Sequence, residues 1–194
     1  MVLVIDTSSP LAALALVTAD GRALAEDIAP GGREDDLPRR ARALAEPASL
    51  SAVAVSLGPG SFTGLRVGIS FGLGLAMGLG VPLLGLGSLE LQAARSEVPA
   101  TALVDAGRGR VYWLEPGGEP RLGEPEELPR ALPAIGWLRE ATAGAVGAAG
   151  VRLLGDEEVR GFAEAAAGLA GAAEQLGYDT VRPRYMQSFS AMLR

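Results

Sequence analysis

Apolar and polar positions alternate in short blocks along the chain. Met1 to Ile5 is an unbroken apolar run that stops at Asp6, and Thr7-Ser8-Ser9-Pro10 supplies turn residues. Leu11 to Thr18 is a second apolar run of strand length. Asp20-Gly21 is a hairpin signal, and Arg22 to Ile28 returns as a third strand. The chain thus opens as an antiparallel meander whose first strand ends on a carboxylate. Pro30-Gly31-Gly32 breaks it. From Glu34 to Ala45 the spacing becomes helical, with Leu37, Ala41 and Leu44 on one face and Pro47 as the stop. Ala52 to Leu57 reads as a buried strand, Gly58-Pro59-Gly60 as a sharp turn, and Phe62 to about Leu79 as a helix capped by Ser61 or Thr63. Val81 to Leu86 is a strand and Ser88 to about Arg95 a short helix.

Pro99 marks a boundary, after which the pattern starts again. Ala100 to Val104 is an apolar strand ending at Asp105, followed by a glycine-rich turn and a returning strand, Val111 to Leu114. Two halves, 1–98 and 99–194, each opening with a strand, an Asp and a hairpin, suggest a structural duplication. Glu115 to Pro133 reads as an irregular loop. Ala134 to Ala149 reads as ambiguous, a helix weakened by glycine, and Val151 to Leu154 as a strand. Glu157 to Leu176 reads as one helix, with Asp156 as N-cap and Gly177 as its stop.

The helix after Gly60 carries two rows of small residues. Gly64, Gly68, Gly72, Ala76 and Gly80 lie four apart, and Ser70, Gly74 and Gly78 form a second row. Each interior Gly costs about 1 kcal/mol relative to Ala, so close packing must offset them. Either the helix packs hard on its own sheet, or one face meets a helix of another subunit. The 23 uncharged residues between Arg66 and Glu90 are long enough to cross a bilayer. Seven glycines and Pro82 favour a buried helix followed by a buried strand instead. No basic leader precedes the first strand, so the cytoplasm is the expected location.

Composition removes much chemistry. The chain has no Cys, His, Lys or Asn, and all 17 cationic side chains are Arg. That excludes disulfides, thiolate nucleophiles, a Ser-His-Asp triad, a Walker A lysine and any zinc site with nitrogen or sulfur ligands. Carboxylates with Mg²⁺, backbone cradles and Arg clamps remain. The net charge of −6 disfavours nucleic-acid binding as the sole function.

Three segments carry candidate chemistry. Asp6, Thr7 and Ser8 stand at a strand end, where actin-like and sugar-kinase folds hold hydrated Mg²⁺ and phosphate. Asp105 and Gly107 repeat that arrangement in the second half, although two hairpins whose Asp caps a turn need the same residues. Gly58, Gly60 and Ser61 enter a helix N-terminus, a natural anion site, although a tight strand-to-helix turn needs the same residues. Arg33, Arg39, Arg40 and Arg42 read as a solvated helix face. Arg182, Arg184 and Arg194 are candidates for contact with an acidic partner.

Together, Asp6-Thr7-Ser8, the run Gly58 to Arg66, Val104-Asp105-Ala106 with Arg110-Val111-Tyr112, and Pro183-Arg184-Tyr185 resemble the TsaB (YeaZ) family. The resemblance implies an α/β, actin-like (ASKHA, ribonuclease H-like) fold of two lobes, the second shortened. It implies a non-catalytic subunit of the machinery that makes N6-threonylcarbamoyladenosine in tRNA. Such a subunit pairs with the catalytic TsaD, is served by the ATPase TsaE, meets tRNA through the complex, and forms a homodimer when isolated. It requires no cofactor of its own, with ATP, ADP or Mg²⁺ as candidates at the complex interface. By the same resemblance the dimerising surface falls on Phe62, Leu65, Gly68, Ile69, Gly72, Leu73 and Ala76. Gly72→Leu is then expected to abolish pairing and spare the fold. The alternative is an ATPase or small-molecule kinase using Asp6 and Asp105 around Mg²⁺.

Overall fold

The computed structural model describes residues 1–31, 36–46 and 49–186. Two sheets organise them. In the first, β1 (Val2–Asp6), β2 (Leu11–Val17) and β3 (Ala23–Pro30) form the expected antiparallel meander. β4 (Ala52–Ser56) lies parallel to β1, and β5 (Leu83–Leu86) parallel to β4. β1 is central and buried throughout, so its apolar run is continuous rather than alternating.

Its side chains still divide by parity. Leu3 and Ile5 face α1 (Leu37–Ala45) and α2 (Phe62–Leu79), in a cluster with Val53, Val55, Leu65 and Ile69. Val2 and Val4 face α5 (Phe162–Ala170), where Phe162, Ala163, Ala166 and Ala167 cover the opposite side. The result is a three-layer α/β/α unit. Each fully buried Val, Leu or Ile side chain contributes about 1.5–3 kcal/mol.

The second sheet contains β6 (Thr101–Gly107), β7 (Arg110–Leu114), β8 (Arg121–Gly123) and β9 (Ala134–Ile135), in the order β8-β7-β6-β9. α4 (Glu140–Ala148) covers one face through Val146. α3 (Ser88–Ala93) lies between the sheets, with Leu89 against Val104 and Tyr112 of the second and Leu91 in the core of the first.

Three expectations are corrected. The segment read as a loop, Glu115 to Pro133, contains β8, which pairs Val111, Tyr112 and Trp113 with Gly123, Leu122 and Arg121. Val151 to Leu154 makes only one bridge, Ala134 to Leu153. The long helix over Glu157 to Leu176 is three pieces: a 3-10 turn at Asp156–Glu158, then α5, then β10 (Glu174–Leu176). Gly161 opens α5 and Gly171 closes it. β10 then pairs antiparallel with β5, and so completes the first sheet. The chain beyond about residue 160 therefore rests on the first sheet, whereas the sequence reading grouped it with the second half. The start of the helix predicted from Glu34 and its stop at Pro47 lie outside the described residues.

α2 meets the length and composition of a membrane span. Its inner face is nonetheless packed on the sheet and it is a core helix of a globular fold.

Candidate functional site

The turn after β1 is built by its carboxylate. Asp6 Oδ1 accepts hydrogen bonds from the Ser8 N–H at 2.9 Å and from Ser56 Oγ at 2.6 Å, tying the turn to β4. The side chain is fully buried, and Oδ2 has no hydrogen-bond partner among the described residues. Burial pushes its pKa above 3.8, against the lowering effect of the Ser56 and Ser8 hydrogen bonds. Asp6 and Ser8 line neither of the hollows described below. Both were candidate Mg²⁺ or phosphate groups, but the fold seals them beneath α2 and β4.

The same turn explains the inner row of glycines. An added Cβ on Gly60 would stand 2.5 Å from the Ser8 carbonyl oxygen. On Gly64 it would overlap the Thr7 carbonyl, on Gly68 the Thr7 hydroxyl, and on Gly72 the Val55 side chain. Thr7 Oγ1 donates to the Gly64 carbonyl at 2.7 Å, and the Ser61 N–H donates to the Ser8 carbonyl at 2.7 Å. Ser61 caps the helix by accepting from the Gly64 N–H. Gly58 takes φ +111°, which L side chains rarely adopt, and is joined to Pro59 by a cis peptide bond. The Gly58–Arg66 run is therefore first of all a device for seating a helix directly on a turn.

This corrects the interface assignment. Leu65, Gly68, Ile69, Gly72 and Ala76 are buried against the chain's own sheet; Phe62 and Leu73 are half-buried at the flanks. The open face of α2 is the second row. Ser70, Gly74 and Gly78 point outward, and among the described residues nothing lies within 4 Å of a Cβ added to Gly74 or Gly78. Met77 and Leu79 beside them are 56% and 51% exposed. Next to this row, Phe71 and Leu75 of α2 and Pro38 and Ala41 of α1 wall an apolar hollow of about 450 Å³.

Asp105 repeats the Asp6 turn. Its Oδ1 accepts from the Gly107 N–H at 2.8 Å, and Oδ2 from Thr142 Oγ1 at 2.9 Å. The guanidinium of Arg139 pairs with Oδ1. Asp105 is thereby committed to holding α4 on β6. Two hollows, of about 310 and 260 Å³, open between the sheets and share Ser61, Thr63 and Arg139 in their walls. Thr7 lines the first, Gly60, Asp105 and Gly107 line the second, and Gly58 lies outside both. Among the described residues no cluster of three or more Asp or Glu groups has a geometry for holding a metal.

The Arg clusters resolve differently. Arg40 is buried and donates to Asp27 and to the Ala12 carbonyl, so it belongs to the α1 packing rather than to a solvated face. Arg39 pairs with Asp36 and Arg184 with Glu174, while Arg182 donates to backbone carbonyls. Arg33 and Arg194 lie outside the described residues. Sequence reasoning missed Arg139, whose role depends on a contact 34 residues away. It singled out Tyr185 only as part of a motif and gave it no role; Tyr185 accepts from Arg66 Nε at 3.0 Å and stacks at 5.2 Å on Phe62.

Two sheets, each opened by an Asp-closed turn, with helices on both faces of the first, define a two-sheet α/β protein. YeaZ from Pseudomonas aeruginosa shares that fold, with a TM-score of 0.72 at 24% identity over 95% of this chain and 99% of that one. The family described as TsaD, tRNA N6-adenosine threonylcarbamoyltransferase, matches residues 41–126. An uncharacterized protein of Mycobacterium tuberculosis is 35% identical over 124 residues, 58% of this chain and 57% of that one. The tRNA threonylcarbamoyladenosine biosynthesis protein TsaB of Bacillus subtilis is 36% identical over 69 residues, 34% of this chain and 30% of its own. The match thus spans little more than half of the first of these relatives and less than a third of the second. The sequence likeness thus covers part of the chain, residues 41–126 for the family model, and the likeness of fold nearly all of it.

Proposed function

We propose that this chain is a non-catalytic partner subunit in the synthesis of N6-threonylcarbamoyladenosine in tRNA, supporting a TsaD-type catalytic subunit. The observation that carries the reading is the outer row of α2. Three small residues face solvent with room for another backbone, between exposed Met77 and Leu79 and beside an apolar hollow. Rows of small residues let two helices approach closely, and exposed apolar area favours association. The same surface serves a homodimer of the isolated chain, so the two associations compete. tRNA meets the pair rather than this acidic chain alone, a TsaE-type ATPase acts on the pair, and the work is done in the cytoplasm.

An enzyme using Asp6 and Asp105 around Mg²⁺ is disfavoured, since one carboxylate is sealed and the other is held by Arg139 and Thr142. Light scattering of the chain with and without TsaD, together with ATPase assays of each, tests the reading. A one-to-one complex that Gly74→Leu prevents, with no turnover by this chain alone, is the expected result. Turnover by the isolated chain that is lost in Asp6→Ala would overturn it.

A further inference from the structure

Away from the two hollows, contacts between the sheets gather on Trp137. Ile135, just before it, pairs with Ala102 of β6, and the N–H of Arg139, just after it, donates to Asp105 Oδ2 at 3.3 Å. Gly136 is pressed so closely on β6 that an added Cβ would overlap the Leu103 carbonyl. Trp137 is thus carried by the second sheet on both sides. Its ring nevertheless packs against the core of the first, 5.7 Å from the ring of fully buried Phe162 at the start of α5. The guanidinium of Arg95 lies over the same ring at 4.3 Å. The Arg95 side chain is only 7% exposed, and its Nη1 donates to Gln92 Oε1 of α3 at 2.9 Å. A cation on an indole face is held most firmly when both are removed from water.

The chain passes between the sheets after α3 and again before α5. These two passages are tied to each other. The Arg160 N–H donates to the Arg95 carbonyl at 2.7 Å, and Arg160 Nε to Glu97 Oε1 at 3.1 Å. Pro99 fixes φ within the first passage. Closure of a cleft needs a few linking residues that are free to change φ and ψ.

We infer that Arg95, Trp137 and Phe162 form a latch that holds the two sheets at one mutual angle, so that the cleft between them keeps a constant width. Units joined by linkers move against each other by default. Here, opening would draw Trp137 out of the first core and leave the buried Arg95 charge without its ring. The cross-tied passages resist the same motion from the backbone side.

Spin-label distances measured by double electron–electron resonance test this. The chain has no Cys, so cysteines can be placed at will. Ala43→Cys on α1 with Ala148→Cys on α4 spans the two sheets, and Ala43→Cys with Glu164→Cys on α5 stays within the first; all three positions are exposed. Dilution with unlabelled chain removes distances between copies. The spanning pair is expected to give one narrow peak. Arg95→Ala and Trp137→Ala are each expected to broaden or split that peak and to leave the pair within the first sheet narrow. A broad or double peak from the spanning pair without either substitution would overturn the latch. So would a spanning peak that stays narrow in both variants. Broadening of both pairs together would overturn it as well, because the contact would then support the first sheet rather than join the two. The measurement uses the chain alone, so its outcome is independent of pairing with TsaD.

Discussion

At the scale of the residue, Asp6 and the glycines of α2 decide most. Asp6 ionises in the fold only above its ordinary value, because burial outweighs the help from Ser56 and Ser8. The unfolded chain titrates near 3.8. Stability is therefore greatest below that pH and declines as pH rises through the raised value in the folded state. Asp6→Asn keeps an oxygen for both donors and removes the charge. Urea unfolding from about pH 4 to 8 should show the wild type losing stability relative to Asp6→Asn as pH rises. Parallel profiles would mean that Asp6 is charged and compensated. Gly72→Ala should destabilise by about 1–3 kcal/mol through overlap with Val55. Gly74→Ala, in open space, should stabilise by about 1 kcal/mol. Equal effects in denaturant titrations would contradict the inner and outer assignment. The sequence showed both rows, because four-residue spacing is local information. Which row faced the sheet depended on the Thr7–Ser8 turn, which sits against Gly60, Gly64 and Gly68 from more than 50 residues away.

At the scale of the element, α2 was legible to its ends: Ser61 caps it and Gly80 closes it in the left-handed conformation, both written as local signals. α5 and β10 were not. Ala-rich text from 157 to 176 has the composition of one helix, but pairing with Leu83–Leu86 sets the last three residues as a strand. A hydrogen-bond partner 90 residues upstream leaves no periodicity to read. The face of α2 that remains open gives the prediction at this scale. Gly74→Leu should abolish homodimer and TsaD association in light scattering while the melting temperature stays within a few degrees of wild type. Gly72→Leu, expected from the sequence to spare the fold, should instead lower the melting temperature or prevent folding, since its side chain has no space beyond Val55.

At the scale of the whole molecule, the repeated strand–Asp–hairpin pattern of β1–β2 and β6–β7 was visible, and the return of the chain to the first sheet was not. That return makes the first sheet dependent on distant sequence. Phe162, Ala166 and Ala170 cover a face holding Val2, Val4, Ala13 and Ala15. A fragment of residues 1–98 should thus fail to give a dispersed NMR spectrum or a cooperative melt. Adding residues 155–186 in trans should restore part of both. A fragment 1–98 that folds alone would show that α5 and β10 are accessories to the first sheet.

The position of β10 also matters while the chain is being made. β5 ends at Leu86 and its edge partner begins at Glu174. At about 5–20 residues per second, the ribosome adds the intervening stretch in roughly 4–18 s. For that interval a nearly all-apolar sheet has a bare edge and one uncovered face, the features that recruit chaperones or seed aggregation. Slower decoding between codons 87 and 173 would lengthen the exposure. The yield of this protein in a cell should then respond more to translation speed over that stretch than to its final stability.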